Sequence, residues 1–178
     1  MNQSSSVAKI YGAIRDVPDF PRPGILFKDI TPLLLDAELF RRAVDLMAAP
    51  FRASAVTRVV SIESRGFLLG APIALALKSG LVPIRKPGKL PAERGRVEYA
   101  LEYGTDALEM HRDAMTGRDC VLIVDDVLAT GGTAEAAARL VRDHGAQVVG
   151  FTFLIELDFL KGRERLKNER IEALLHYA

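Results

Sequence analysis

The chain has few of the residues that would let cross-links or bound metal define it. One cysteine, Cys120, stands among 178 residues. That excludes an intramolecular disulfide and a cysteine-based zinc site. At the head of an apolar run, it reads as an inert, buried small residue. Tryptophan is absent, and the three histidines, His111, His144 and His176, lie in unrelated contexts without metal-ligand spacing; they read as structural or surface residues. No excess of one charge is present either. A net charge of +1 gives no bulk field toward nucleic acid or a membrane surface. No apolar run approaches the roughly 20 residues of a spanning helix. Met1 to Ser6 carry no basic-plus-apolar leader pattern and read as a frayed tail. The expectation is a cytoplasmic protein with no nucleic-acid or membrane partner.

What is present is an ordinary globular composition, 49% hydrophobic and 26% charged, in a length that suits one domain over residues 1–178. Apolar residues at helical spacing run from Leu39 to Ala53. Strands are expected at Thr57 to Ile62, Leu81 to Arg85, Val121 to Val124 and Gln147 to Ile155. Helices are expected at Val7 to Ala13, Gly66 to Ser79, Gly132 to Asp143 and, as a charged surface element, Leu160 to Asn168. Arg96 to Tyr103 reads as a hairpin arm. Alternating strands and helices indicate an α/β domain with a mostly parallel sheet covered on both faces.

The most informative stretch is Val121-Leu122-Ile123-Val124-Asp125-Asp126-Val127-Leu128-Ala129-Thr130-Gly131-Gly132-Thr133. An apolar strand runs into two carboxylates, then into a hydroxyl- and glycine-rich turn that opens a helix. Such a junction offers unpaired backbone N–H groups and the positive end of a helix dipole, which suits a phosphate. Gly131 and Gly132 allow positive φ and close approach to an anion. Asp125 and Asp126 stand where a sheet's carboxyl edge meets a ligand crevice. There they can accept from sugar hydroxyls or organise magnesium. With no lysine after the glycines, the string is not a Walker A loop, and its glycine spacing is not that of the dinucleotide fingerprint.

A second strand ends in the same manner, at Ile62-Glu63-Ser64-Arg65-Gly66, and offers backbone and guanidinium donors to a diphosphate. A third ends in Arg85, Lys86 and Lys89. Arg65, Lys86 and Lys89 can neutralise charge that develops on a departing diphosphate. Near the N-terminus, the proline-rich segment Phe20 to Leu34 holds Phe27, placed to stack on a planar base.

These motifs resemble the type I phosphoribosyltransferase family, and the Asp125–Thr133 string resembles its phosphoribosyl-diphosphate signature. The segments Phe20 to Leu34, Ser64 to Phe67, Ile84 to Pro91, Leu101 to Gly104, and Glu156-Leu157 with Leu160 to Arg163 resemble the adenine-using members, in order, from about Ile14 to Tyr177. The resemblance implies a parallel-sheet fold with a small base-binding hood, drawn from about 14–35 and from 156–178, and a flexible catalytic loop between Arg96 and Met110. It implies transfer of a 5-phosphoribosyl group from phosphoribosyl diphosphate to adenine, giving AMP and diphosphate, as in purine salvage. Asp125 and Asp126 would face the ribose hydroxyls, and Ala129, Thr130, Gly131, Gly132 and Thr133 would wrap the 5-phosphate. The Ser64–Arg65 turn, through a cis Glu63–Ser64 bond, would hold the diphosphate with Arg85, Lys86 and Lys89. Phe27 would stack on adenine while main-chain groups of Leu26 and Lys28 read its edge, and Leu157 would pack on the other face. Glu102, beside Tyr103, would handle the imidazole proton. Magnesium would arrive with the diphosphate, with Asp125 and Asp126 contacting it through the substrate rather than as a dedicated metal site. A homodimer is implied, with the Arg85–Lys89 region near its interface. A hypoxanthine- or xanthine-using transferase would call for a lysine–aromatic pair near Gln147 to Asp158, which is missing. A regulator built on the fold would need appended basic helices.

Overall fold

The computed structural model describes residues 3–100 and 105–178. The chain divides into two compact units, Met1–Leu46 and Met47–Ala178.

The first unit begins with α1 (Gln3–Gly12), followed by β1 (Arg15–Val17) and β2 (Phe27–Asp29), which pair antiparallel with Arg15 opposite Asp29. The short α2 (Thr31–Leu35) and α3 (Ala37–Ala48) follow. Helix α1 corrects the expectation of a frayed tail: Ser4 to Ser6 are helical, and Ser6 is buried, with Arg42 Nη1 within 3.3 Å of its hydroxyl. The chain between β1 and β2 contains a cis Phe20–Pro21 bond, and Phe20 packs edge-to-face on Phe27 with centroids 5.0 Å apart. Ion pairs Arg15–Asp29 (2.5 Å) and Lys28–Asp16 (2.6 Å) tie the two strands. Asp29 is held at a pKa of about 2, chiefly by the Thr31 backbone N–H and then by Arg15.

The second unit is the expected parallel sheet. Its strands are β3 (Arg58–Ile62), β4 (Gly80–Ile84), β7 (Cys120–Leu128), β8 (Gln147–Leu157) and β9 (Ile171–Tyr177), in the spatial order β4-β3-β7-β8-β9. Between β4 and β7 the chain forms an antiparallel hairpin, β5 (Arg94–Ala100) and β6 (Thr105–His111). Helix α4 (Gly66–Leu77) joins β3 to β4, and α5 (Gly132–Asp143) joins β7 to β8. Strands β7 and β8 carry nearly unbroken buried runs, as expected of parallel strands covered on both faces. Helix α5 turns Ala134, Ala136, Ala137, Ala138, Leu140 and Val141 inward. Those small side chains let it lie close to the sheet.

Three boundaries differ from expectation. Strand β7 continues through Leu128, because Asp125 and Val127 pair in the ladder with Phe153 and Ile155 of β8. The segment expected as a surface helix is instead two 3₁₀ turns, Asp158–Leu160 and Gly162–Arg165, separated by Lys161 in the left-handed conformation at φ 53°. A residue in that conformation cannot continue an α-helix. Residues 171–177 of the C-terminal segment form β9, the last strand of the main sheet. Cys120 is partly rather than fully buried.

Candidate active site

The sheet reverses its direction of winding between β3 and β7: α4 leads outward from β3 to β4, and α5 outward from β7 to β8. At such a switch point the two loops beyond the strand ends diverge and leave a crevice at the carboxyl edge. Strands β3 and β7 are parallel neighbours, with Ser61 opposite Val124. The Glu63–Arg65 corner and the Asp125–Thr133 corner therefore open at the same edge.

Both corners lead into helices whose first turns lack a side-chain cap. The residue before α4 is Arg65, and the residue before α5 is Gly131, at φ +83°. The α5 N-terminus thus offers backbone N–H groups to an oxyanion at the crevice, while at α4 the Phe67 and Leu68 N–H groups bond the Ser64 and Arg65 carbonyls at 3.2 and 3.1 Å. The Glu63–Ser64 bond is cis, as the resemblance implied. Arg65 Nε lies 2.8 Å from Asp126 Oδ2, an ion pair that joins the two corners across the switch point. Asp125 Oδ1 accepts from the Asp126 backbone N–H at 2.9 Å. It also lies against the start of α4, where a Cβ on Gly66 would stand 2.8 Å from it.

The electrostatics of the two acidic residues follow from this crowding. Burial, then the neighbouring Asp126 charge, pushes the Asp125 carboxyl well above the usual carboxylate range. Burial also raises Asp126, against the attraction of Arg65. A site that disfavours its own anionic charge is one that a hydroxyl donor or a cation would relieve.

Around the third strand end the sequence reading missed the organising residue. Glu63 reaches under the basic loop after β4. It accepts from the Lys86 backbone N–H (2.9 Å), Arg85 Nε (3.3 Å) and Lys89 Nζ. Burial alone would raise its pKa, but the bonds from Lys89, Lys86 and Arg85 hold it at about 2. Glu109 on β6 braces the same loop from the other side. It accepts from the Gly88 N–H at 3.0 Å and pairs with Arg94 at 3.0 Å. Lys86 Nζ is bonded to Asp106 and, at 3.0 Å, to the Tyr99 hydroxyl. Burial disfavours the charged ammonium, yet those bonds outweigh it and raise its pKa. Arg85, Lys86 and Lys89 are therefore all tethered to acids.

Residues 34–173 match the phosphoribosyl transferase domain family. The adenine phosphoribosyltransferase of Myxococcus xanthus is 59% identical over 177 residues, 99% of this chain and 96% of its own length. That of an Anaeromyxobacter strain is 52% identical over 99% of this chain and its full length. The chain belongs to the adenine phosphoribosyltransferase family. Among solved structures, the Rhodothermus marinus adenine phosphoribosyltransferase superposes with a TM-score of 0.94 at 52% identity, covering 98% of this chain and 99% of that one. The Saccharomyces cerevisiae enzyme, solved with an imino-altritol bisphosphate and adenine, gives 0.91 at 41% identity over 97% and 99%.

Measured against that family, the expected residues fall into three groups. Ser64, Arg65, Arg85, Lys86, Lys89, Asp125, Asp126, Ala129, Thr130, Gly131, Gly132 and Thr133 all lie at the carboxyl edge of the main sheet. Leu157 ends β8 at that edge. Leu26, Phe27 and Lys28 belong to the first unit; Leu26 is half exposed, and Phe27 and Lys28 open β2. Glu102 and Tyr103 lie outside the described residues. In sequence they fall between β5 and β6, which pair antiparallel as the two arms expected there. Of the histidines, His144 is structural, its Nδ1 2.7 Å from the Leu140 carbonyl. His176 meets Glu156 and Asp158 within a 4.8 Å cluster. Sequence spacing had not suggested that grouping, because parallel pairing of β9 with β8 creates it. Both Glu156 oxygens are already taken by Arg163 Nε at 2.7 and 2.9 Å.

Proposed function

We propose that this chain transfers the 5-phosphoribosyl group of phosphoribosyl diphosphate to adenine, forming AMP and diphosphate. The observation that carries the reading is the pair of uncapped helix N-termini opening at one switch point, bridged by Arg65–Asp126. It is supported by relatives more than 50% identical that bear the name adenine phosphoribosyltransferase.

In the reaction a bond forms between an adenine ring nitrogen and C1 of the ribose, the bond from C1 to the diphosphate oxygen breaks, and the electron pair leaves with diphosphate. The α5 N-terminus and Ala129–Thr133 would hold the 5-phosphate. Asp125 and Asp126 would accept from the ribose hydroxyls, which fixes the ring and its C1 for attack. Ser64, Arg65 and the basic loop would receive the diphosphate, whose charge grows as the bond breaks. Lys86 and Lys89 would exchange acid partners for phosphate oxygens, so the tethers keep these side chains oriented before substrate arrives. The Asp125–Asp126 pair suits a hard divalent cation such as magnesium, which when bound with the substrate would supply further positive charge to the leaving diphosphate. Phe27 would stack on adenine, Leu26 and Lys28 would read its edge by main-chain groups, and Leu157 would cover the other face. Glu102 would take the imidazole proton, with Tyr103 beside it.

The reading includes a cytoplasmic setting and a homodimer. The described residues hold no helix long and apolar enough to cross a membrane. Leu68 and Leu75, one heptad apart on α4, and Leu81 on the edge strand β4 are 47%, 81% and 43% exposed, apolar side chains that a second copy would cover.

A base panel tests the reaction. Purified protein with phosphoribosyl diphosphate and magnesium is given adenine, hypoxanthine, guanine, xanthine or orotate singly, and nucleotide and diphosphate are measured. AMP from adenine alone is expected. Product from an oxopurine would overturn the assignment of Phe27 and its neighbours, and no product from any base would overturn the enzyme reading. Within the same assay, Phe27→Ala is expected to raise the KM for adenine about tenfold while that for phosphoribosyl diphosphate stays within twofold, as loss of a stacking face predicts.

A further inference from the structure

The Leu160-Lys161-Gly162-Arg163 motif has no part in the reaction as drawn, yet it lies directly behind the phosphate loop. Gly162 presses on that loop backbone to backbone. A Cβ added to it would collide with the Ala129 carbonyl oxygen and stand 3.0 Å from Leu128 Cδ1. The contact is reciprocal: a Cβ on Gly131 would stand 2.5 Å from the Gly162 carbonyl oxygen and 3.3 Å from Arg165 Cβ. No side chain separates the two segments at this point. Only glycine at both positions permits the approach, and Cα–H groups facing carbonyl oxygens make it mildly favourable.

The segment carrying Gly162 is itself pinned along its length. Arg163 grips the buried Glu156 through both carboxylate oxygens and bonds the Ile171 carbonyl at 3.2 Å. Leu166 is buried in the core, and its N–H bonds the Arg163 carbonyl. Lys161 and Glu164 close successive tight turns through Asp158 and Lys161 carbonyls. Arg165 reaches Glu135 in the first turn of α5 at 3.5 Å, just beyond the loop. The Asp158–Leu166 segment is thus a braced strap with its small residue set against the turn that opens α5.

We propose that Gly162 is a positioning residue for the Ala129–Gly131 loop: the strap sets the curvature of that loop and so the aim of its N–H groups at the 5-phosphate. This rests on the assignment of the loop to the 5-phosphate. Gly131 at the head of α5 supplies no side-chain cap, and the strap is the wall that holds the loop's shape.

The experiment compares wild type, Gly162→Ala and Arg163→Lys. The first adds the methyl group that the contact excludes. The second keeps the charge but replaces a two-point grip by one, loosening the strap without a clash. Steady-state kinetics are run against each substrate, and ribose 5-phosphate binding is measured by calorimetry, in which stoichiometry counts folded protein and Kd reads the loop. For Gly162→Ala the KM for phosphoribosyl diphosphate and the Kd for ribose 5-phosphate should rise about tenfold, with the KM for adenine within twofold. Arg163→Lys should move the same two constants about threefold. If Gly162→Ala fails to fold, Arg163→Lys decides. A Kd for ribose 5-phosphate that stays at the wild-type value in the folded variants, or an equal rise in both KM values, would overturn the proposal. Wild-type protein that transfers phosphoribosyl but does not bind ribose 5-phosphate would instead overturn the loop assignment beneath it.

Discussion

The two strand-end corners of the main sheet are built from the same parts and are tuned in opposite directions. Each is a buried parallel strand ending in acid, then a turn, then an uncapped helix. At the β3 corner, Glu63 is surrounded by donors from Lys86, Arg85 and Lys89 and stays ionised down to a pKa of about 2. At the β7 corner, Asp125 and Asp126 crowd one another, and burial raises both. Glu63 is a finished structural anion: its lone pairs are used, and its work is to hold a basic loop in place. The Asp125–Asp126 pair is an unfinished one: Arg65 and one backbone N–H offset part of the cost of its burial, and in the proposed function a ribose hydroxyl or a cation would supply the rest. An acid after a strand therefore says little until its donors are counted.

The largest expected effect follows from the unfinished pair. Asp125→Asn keeps the acceptor for the Asp126 N–H but removes the carboxyl group that, in the proposed function, would accept from the ribose. Transfer, as kcat/KM for phosphoribosyl diphosphate, should fall about 100-fold. Thermal stability should hold or rise, because a carboxyl group whose ionisation is disfavoured by burial and by Asp126 is gone. Asp126→Asn should also lower transfer, but at a cost in stability, because Arg65 loses its partner. A stable, inactive Asp125→Asn protein sharpens the comparison; an unstable one would make Asp125 a structural anion like Glu63.

Glu63→Gln should behave in the reverse sense. The neutral amide leaves Lys89 and Arg85 without their counter-charge and lets the basic loop drift. The KM for phosphoribosyl diphosphate should rise about tenfold with kcat changed much less, and the melting temperature should drop by several degrees, as for loss of about 1–2 kcal/mol in a chain of this size. Loss of kcat without loss of stability would break the contrast and move Glu63 into the chemistry.

The sequence disclosed one corner of this pair better than the other. Asp125 to Thr133 is contiguous, so its acids, glycines and hydroxyls are legible as a single local object, and the parallel sheet follows from the alternation of apolar runs around it. Glu63 acts on residues more than twenty positions away, through the pairing of β3 with β4. Nothing local marks it, although an acid at one strand end and three bases at the next are a usable signal. The Lys86–Asp106–Tyr99 cluster was hidden for the same reason, since it needs the β5–β6 hairpin to fold back on the loop. The stretch Leu160 to Asn168 reads as a surface helix because its charges and leucines have helical spacing. The left-handed Lys161 breaks it, just before Gly162 packs against the Ala129 carbonyl, a tertiary contact that propensity does not record. The buried Ser6 of α1 likewise shows how a polar N-terminal segment becomes helix once Arg42 meets it.

The smallest expected effect is also the most direct reading of the contrast, because it is made on the folded protein without substrate. Glu63 has a folded pKa of about 2 against an ordinary value of 4.5. Between those values the unfolded chain binds the extra proton, so stability rises with pH there. The contribution of Glu63 is complete above about pH 4.5 and is lost as the pH falls toward 2. The raised Asp125 works the other way: its folded form holds a proton that the unfolded chain has released, so it subtracts stability as the pH rises above 3.8. Denaturant midpoints measured from pH 3 to 7 should therefore show the gap between wild type and Glu63→Gln shrinking as the pH drops. The gap between Asp125→Asn and wild type should widen in the variant's favour as the pH rises. Parallel curves for either variant would mean that its carboxyl sees the same surroundings folded and unfolded, and the opposed tuning of the two corners would be wrong for that residue.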